Sequence, residues 1–275
     1  MNQPHRVVVF CPNPYSLYTT AVTELLLRQN VEVLAIVVKK FTLNRFRQEF
    51  ARDGKRLLRK IYNKLVLRES AYQPRSFETI VSFRKNNQIA VQSIHDFKKR
   101  GIKIQTCLDL NDEVVLQLLQ SLQPDLVVFT GGGIVREKIL KAAGHGVLNC
   151  HMGKLPLYRG MDVVEWPLLQ NDSNNLGFTV HFMDKGIDTG DILYVESVEI
   201  DPEIDSIKVL REKYEPLMTQ ALAKTTVDFL DGKIERKKQA LADGQQYFIM
   251  HDRLLEIANA NLKKIQNSIE KVYLT

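Results

Sequence analysis

The chain has 275 residues, 44% hydrophobic and 25% charged, and its 38 Lys and Arg against 32 Asp and Glu leave a net charge of +6. That balance excludes a disordered chain and provides for a large core, while no stretch reaches the roughly 18 to 20 uncharged apolar residues that span a bilayer. The opening MNQPHRVVVF lacks the apolar stretch of a secretory signal, and Cys11, Cys107 and Cys150 show no disulfide or zinc-site spacing, so a cytoplasmic protein with reduced thiols and no metal is expected.

The first apolar run, Val7 to Phe10, ends at Pro12-Asn13-Pro14, after which Leu17, Val22, Leu25 and Leu26 recur at helical spacing. Strand, turn and helix follow from that pattern. A second strand is expected over Val33 to Val38. Residues 39 to 68 then hold eleven Lys and Arg against Glu49 and Asp53, so this segment carries +9 and the remainder of the chain about −3. Phe46, Phe50, Leu57, Leu58, Ile61 and Leu65 mark an amphipathic helix there, inside an insertion at about 40–87 that is long for a connection between strands. Its basic face reads first as a solvated surface and second as one that attracts an anionic substrate or membrane headgroups.

Further strands are expected at Lys103 to Thr106 and Asp125 to Phe129, with a helix over Glu113 to Leu122 between them. Such alternation predicts an α/β fold, a mostly parallel sheet with helices on both faces. Leu126 to Phe129 is apolar throughout, as befits a central strand covered on both sides. Gly131, Gly132 and Gly133 let the backbone turn at its carboxyl end, the edge where open α/β sheets bind ligands. Beyond Gly146 come shorter strands, Gly177 to Met183 and Ile192 to Glu199, then helical patterns over Glu203 to Leu230 and about 250–265. This divides the chain into a domain over 1–200 and a mainly helical extension, 201–275, packed on it.

Polar and special-backbone residues are densest between Asn149 and Asp191. Asn149 and His151 lie two apart after Gly146-Val147-Leu148, so on a strand they share one face. An amide can polarise a carbonyl and hold its oxyanion, and an imidazole can donate a hydrogen bond or shuttle a proton, which suits acyl transfer. Asp188, between Gly186 and Gly190, is the preferred carboxylate to orient the imidazole, with Asp184 and Asp191 as competitors. Taken singly, each of these residues also fits ordinary turn chemistry or a satisfied structural role. His181 shares a face with Thr179 and reads equally as a ligand contact or as a buried His bonded to the backbone.

The run Asn149-Cys150-His151-Met152-Gly153-Lys154-Leu155-Pro156-Leu157-Tyr158-Arg159-Gly160 resembles the signature of folate-dependent formyltransferases. Gly177-Phe178-Thr179-Val180-His181 and Asp188-Thr189-Gly190-Asp191-Ile192 resemble that family's later elements, and the resemblance is close over roughly 120 to 200. It implies the Rossmann-like formyltransferase fold plus C-terminal helices, with Asn149, His151 and Asp188 as the catalytic trio. It also implies 10-formyltetrahydrofolate as co-substrate, its pterin held by Ile134 and Val135 and by Met183, Asp184 and Ile187 of the loop that leads to Asp188. Arg159 and His181 are the candidates for acceptor binding. Among the family's acceptors, glycinamide ribonucleotide is disfavoured because Cys11 to Ser16 contains no glycine to cradle a phosphate. A tRNA is disfavoured by the helical pattern after Ile200, although the basic stretch keeps nucleic acid open. A nucleotide-linked amino sugar is therefore the expected acceptor, and the resemblance allows a homodimer. A non-catalytic folate-binding module and a docking helix at 40–68 on an inert scaffold are the readings of a different class.

Overall fold

The computed structural model describes residues 3–40, 47 and 77–273, with side chains described as far as 269. The predicted amphipathic helix and nearly all of the basic stretch lie outside the described residues.

The first strand, β1 (Arg6–Cys11), is followed by α1 (Leu17–Arg28) and β2 (Glu32–Lys39). After α2 (Ile80–Asn86) and a 3₁₀ segment at Ile94–Arg100 come β3 (Lys103–Cys107), α3 (Glu113–Leu122), β4 (Leu126–Phe129), α4 (Glu137–Ala142) and β5 (Val147–His151). The second half adds β6 (Tyr158–Gly160), α5 (Glu165–Leu169), β7 (Gly177–Phe182), β8 (Ile192–Ser197), α6 (Ile207–Leu230), β9 (Gln245–Tyr247) and α7 (Asp252–Tyr273).

Seven strands form one sheet in the order β3-β2-β1-β4-β5-β7-β8, with β1 to β5 parallel to one another and the β5–β7 and β7–β8 pairs antiparallel. This is the mostly parallel α/β sheet with C-terminal helices that the sequence predicts. Its apolar strands are sealed on both faces. Val7, Val9 and Cys11 of β1 enter the core cluster that also holds residues of α1, α6 and α7, whereas Val8 and Phe10 enter the cluster shared with α3 and α4. A period of two therefore sorts a continuous apolar run onto two buried faces. The chain builds outward from β1 through β2 to β3, then crosses back to add β4 and β5 on the other side. That reversal opens a crevice at the carboxyl ends of β1 and β4.

Three features differ from the sequence-based expectation. Tyr158-Arg159-Gly160, where no strand is expected from the sequence, is a strand paired in parallel with β9 in a separate two-stranded sheet. The long helix starts at Ile207 rather than Glu203, because the Ser206 hydroxyl accepts from the Val209 N–H and caps it there. The helices over 137–142 and 165–169 were not anticipated; at six and five residues they are too short for a periodic signal.

Candidate active site

Strand β5 carries Asn149 and His151 to the carboxyl edge of the sheet beside the crevice. Its antiparallel pairing with β7 sets Asn149 opposite His181 and His151 opposite Thr179. Facing residues of paired strands present their side chains to the same side, and the Asn149 amide nitrogen lies 3.2 Å from His181 Nε2. Thr179 is buried and fixes the turn after His151: its hydroxyl accepts from the Leu155 N–H at 3.0 Å and donates to the Gly153 carbonyl at 2.9 Å. Gly153 leaves the room that this turn needs, since a Cβ there would stand 2.8 Å from the Tyr158 carbonyl oxygen and 3.0 Å from His151 Nε2.

The loop between β7 and β8 delivers the carboxylate. Of its three acids, Asp188 reaches the histidines: one oxygen is 3.4 Å from His151 Nδ1 and accepts from the Gly160 N–H at 2.9 Å, and the other is 3.5 Å from His181 Nε2. Asp184 braces the loop instead, its oxygen accepting from the Gly186 N–H and the Thr189 hydroxyl. Asp188 occupies the left-handed region at φ +54, which costs a non-glycine residue about 1 kcal/mol.

Backbone carbonyls fix both imidazoles. His151 Nε2 lies 2.9 Å from the Tyr158 carbonyl and His181 Nδ1 lies 2.9 Å from the Phe182 carbonyl, so those nitrogens carry hydrogens. In the neutral form His181 then takes a hydrogen from the Asn149 amide on Nε2, while His151 turns a bare Nδ1 toward Asp188. One added proton at that Nδ1 would create a charge-assisted hydrogen bond to the carboxylate. Burial, together with the charges of His181 and Arg211, holds the His151 pKa below its ordinary value against the opposing pull of Asp188 and the Tyr158 carbonyl. Burial alone would raise Asp188, but the two imidazoles beside it, which favour the carboxylate whenever one of them is protonated, and the Gly160 N–H outweigh it and take the carboxyl down to about 2. The resting pair is a carboxylate beside a neutral imidazole.

Behind His151, Arg211 of α6 makes two bonds to the buried Glu165 carboxylate at 3.0 and 2.6 Å and lies 3.2 Å from the Met152 sulfur. Ile134 is 67% exposed at the end of the glycine turn, whereas Val135 is 3% exposed with its side chain in the core, leaving only its backbone for a ligand. Ile187 is exposed and Met183 half-buried. The Arg159 guanidinium, expected at an anionic substrate, donates to the carbonyls of Leu241 and Gly244. His181 is buried within the cluster rather than set at its rim.

Several supporting residues escaped the sequence. Lys39 donates to the Gly132 carbonyl at 3.3 Å and pairs with Asp109 at 3.0 Å. The Asn111 side chain donates to the Ile134 carbonyl and accepts from the Arg136 N–H, fixing the turn that ends in Ile134. The run Asp109, Asn111, Asp112 was a visible cluster of turn formers, but which backbone it would serve depends on the crossover between β3 and β4.

The sequence pattern of the family described as formyl transferase matches residues 80–226. A methionyl-tRNA formyltransferase of Caldanaerobacter subterraneus is 32% identical over 187 residues, covering 67% of this chain and 58% of the relative. The chain spans about half the length of the curated relatives it matches. Among solved structures, glycinamide ribonucleotide transformylase 1 of Symbiobacterium toebii superposes with a TM-score of 0.57 at 17% identity, over 87% of this chain and 95% of that one. An N-formyltransferase of Helicobacter canadensis, in complex with folinic acid and dTDP-3-aminofucose, gives 0.55 at 16% identity, over 93% of this chain and 78% of that one. At such identities the structural likeness shows a shared fold.

Proposed function

The chain belongs to the formyl transferase family, and on that premise we propose that it transfers the formyl group of 10-formyltetrahydrofolate to the amine of a small acceptor. The observation that carries this reading is the convergence of His151 and His181 on the Asp188 carboxylate, with the Asn149 amide against His181, at the sheet edge beside the crevice. The folate fits the residues present: a flat heterocycle with donors and acceptors suits a glycine-rich turn at a strand's carboxyl end, with the exposed side chain of Ile134 at that turn and that of Ile187 on the loop that carries Asp188. When bound it supplies the activated formyl carbon.

The protein residues then have separable tasks. Asn149 commits one amide hydrogen to His181 and offers the second to the formyl oxygen, where negative charge develops as the amine attacks. The acceptor amine must give up a proton and N10 of the departing folate must gain one. The Asp188–His151 pair, one hydrogen short at rest, takes up the first and returns it to the second. Charge on His151 then faces a carboxylate already ionised to receive it. His181, pinned by the Phe182 carbonyl, keeps Asn149 and Asp188 in register.

For the acceptor, a nucleotide-linked amino sugar is the preferred class. The first βα turn is poorly suited to a terminal phosphate, because the Tyr15 N–H is taken by the Asn13 side chain and the Thr19 N–H by Ser16. On the other flank, Met161 and Phe248 are 45% and 69% exposed where β6 and β9 run beside the Gly160 N–H that holds Asp188. Those apolar surfaces suit a nucleobase. The second reading, methionyl-tRNA, is favoured by the names of the sequence relatives and by the basic stretch at 39–68.

The test measures tetrahydrofolate release from 10-formyltetrahydrofolate with amino-sugar nucleotides, charged initiator tRNA, glycinamide ribonucleotide and buffer, with His151→Ala as control. Release with an amino-sugar nucleotide alone, lost in the variant while folate still binds, supports the full reading. Release with tRNA moves the acceptor. No release with any amine, despite folate binding, favours a non-catalytic module.

A further inference from the structure

We propose that Gln239, in the segment after α6, is a positioning residue for the Asp188 carboxylate: its amide straps the loop that carries Asp188 and so sets that carboxylate between His151 and His181. Its Nε2 donates to the Asp188 carbonyl at 3.0 Å and to the Gly190 carbonyl at 2.5 Å, spending both amide hydrogens on one loop. The chemistry fixes the orientation of the amide, since turning it over would press Oε1 against two carbonyl oxygens. Oε1 itself is buried without a hydrogen-bond partner among the described residues. An amide held with its acceptor unused is there for its two donors.

The strap has a rigid base and a defined load. Two residues upstream, Lys237 exchanges both backbone hydrogen bonds with Ile192, the first residue of β8, at 2.8 Å each. Arg236 lays its guanidinium 3.6 Å above the Phe182 ring at the end of β7 and donates to the His145 carbonyl. Residues 236–239 are thereby fixed to both ends of the β7–β8 connection. The loop they restrain needs restraint: Asp188 sits at φ +54, and Gly190 passes so close to Phe182 that a Cβ would stand 2.0 Å from the Phe182 carbonyl oxygen. The bonds from Asp184 brace Gly186 and Thr189 but leave the Asp188 carbonyl to Gln239. From the other side, the Gly160 N–H holds the carboxylate. The groups that face it are His151 from β5 and His181 from β7, while Arg211 of α6 acts on His151 through its charge. Both imidazole contacts are near 3.5 Å, so a small rotation of the Asp188 peptide separates them.

Only the kinetic arm of the test rests on formyl transfer. Histidine ring signals of the full chain, with His151 identified by its loss in His151→Ala, are titrated by NMR in wild type, Gln239→Met and Asp188→Asn. In Gln239→Met the His151 midpoint is expected to fall by about half a unit or more toward the Asp188→Asn value, because the carboxylate no longer supports the imidazolium. Gln239→Glu keeps the side chain's size without donors at neutral pH and serves if the Met variant fails to fold. In turnover, kcat is expected to fall about tenfold with KM for the formyl-folate within about threefold. Asp188→Asn/Gln239→Met should be no slower than Asp188→Asn alone. Wild-type titration in a folded Gln239 variant, or a double variant slower by the product of the single losses, would overturn the assignment. Absence of turnover in wild type would remove the formyl-transfer reading and leave the titration to decide the role of Gln239.

Discussion

Asp188→Asn isolates the charge at the centre of the cluster. The substitution preserves shape, and an amide oxygen can still accept the Gly160 N–H that bonds Asp188 at 2.9 Å. What disappears is the carboxylate facing His151 Nδ1 at 3.4 Å. Opposite unit charges at that separation attract by about 5 kcal/mol at an effective dielectric of about 20, and desolvation takes back part of it. If about 3 kcal/mol of support for the protonated imidazole survives, kcat falls about a hundredfold. Stopped-flow or steady-state release of tetrahydrofolate reads this directly. The same residue leaves a mark on stability. Its pKa is depressed from 3.8 to about 2 in the folded protein, so it contributes about 2 kcal/mol above the unfolded value, lost as the pH falls through about 2. Urea unfolding at pH 7, 5, 3 and 2 should show that component in wild type and not in Asp188→Asn. A variant with kcat within threefold of wild type and the same acid profile would refute both the electrostatic role and the ionised state assigned to Asp188.

Ile134→Asp should leave the unfolding midpoint unchanged, since the side chain is 67% exposed, and raise KM for 10-formyltetrahydrofolate about tenfold through a lost apolar contact and an added charge; an unchanged KM would place the pterin elsewhere. Gly153→Ala introduces a Cβ 2.8 Å from the Tyr158 carbonyl and 3.0 Å from His151 Nε2, so activity should drop further than a stability loss of about 1 to 3 kcal/mol explains, as thermal melts and kinetics on one preparation would show. Glu165→Gln leaves the Arg211 guanidinium without its bidentate carboxylate partner and should cost about 3 kcal/mol in denaturant unfolding; a cost below about 1 kcal/mol would mean that Asp162, 3.9 Å from Arg211, takes over.

The amino-acid sequence by itself determined whatever depends on neighbours along the chain. Apolar runs with turn formers at their ends placed β1 to β4 and α3 within a residue or two, because strand and helix periods are local properties. Asn149 and His151 were legible as a pair because residues two apart on a strand share a face. Asp188 stood out because flanking glycines mark a loop whose backbone can come close to a ligand, and in the fold it is Asp188, not Asp184 or Asp191, that reaches the imidazoles. Tertiary structure decided the rest. His181 joins Asn149 only through the antiparallel register of β5 and β7. The nitrogen of each histidine that faces Asp188 is fixed by carbonyls at Tyr158 and Phe182 that no motif names. Arg159 was turned to the Leu241 and Gly244 carbonyls by the pairing of β6 with β9, across more than eighty residues, and Gln239 reaches Asp188 from fifty residues away. Such contacts are invisible in a window of sequence because a side-chain amide or guanidinium satisfies any carbonyl equally well, and only the path of the folded chain selects which carbonyl it meets.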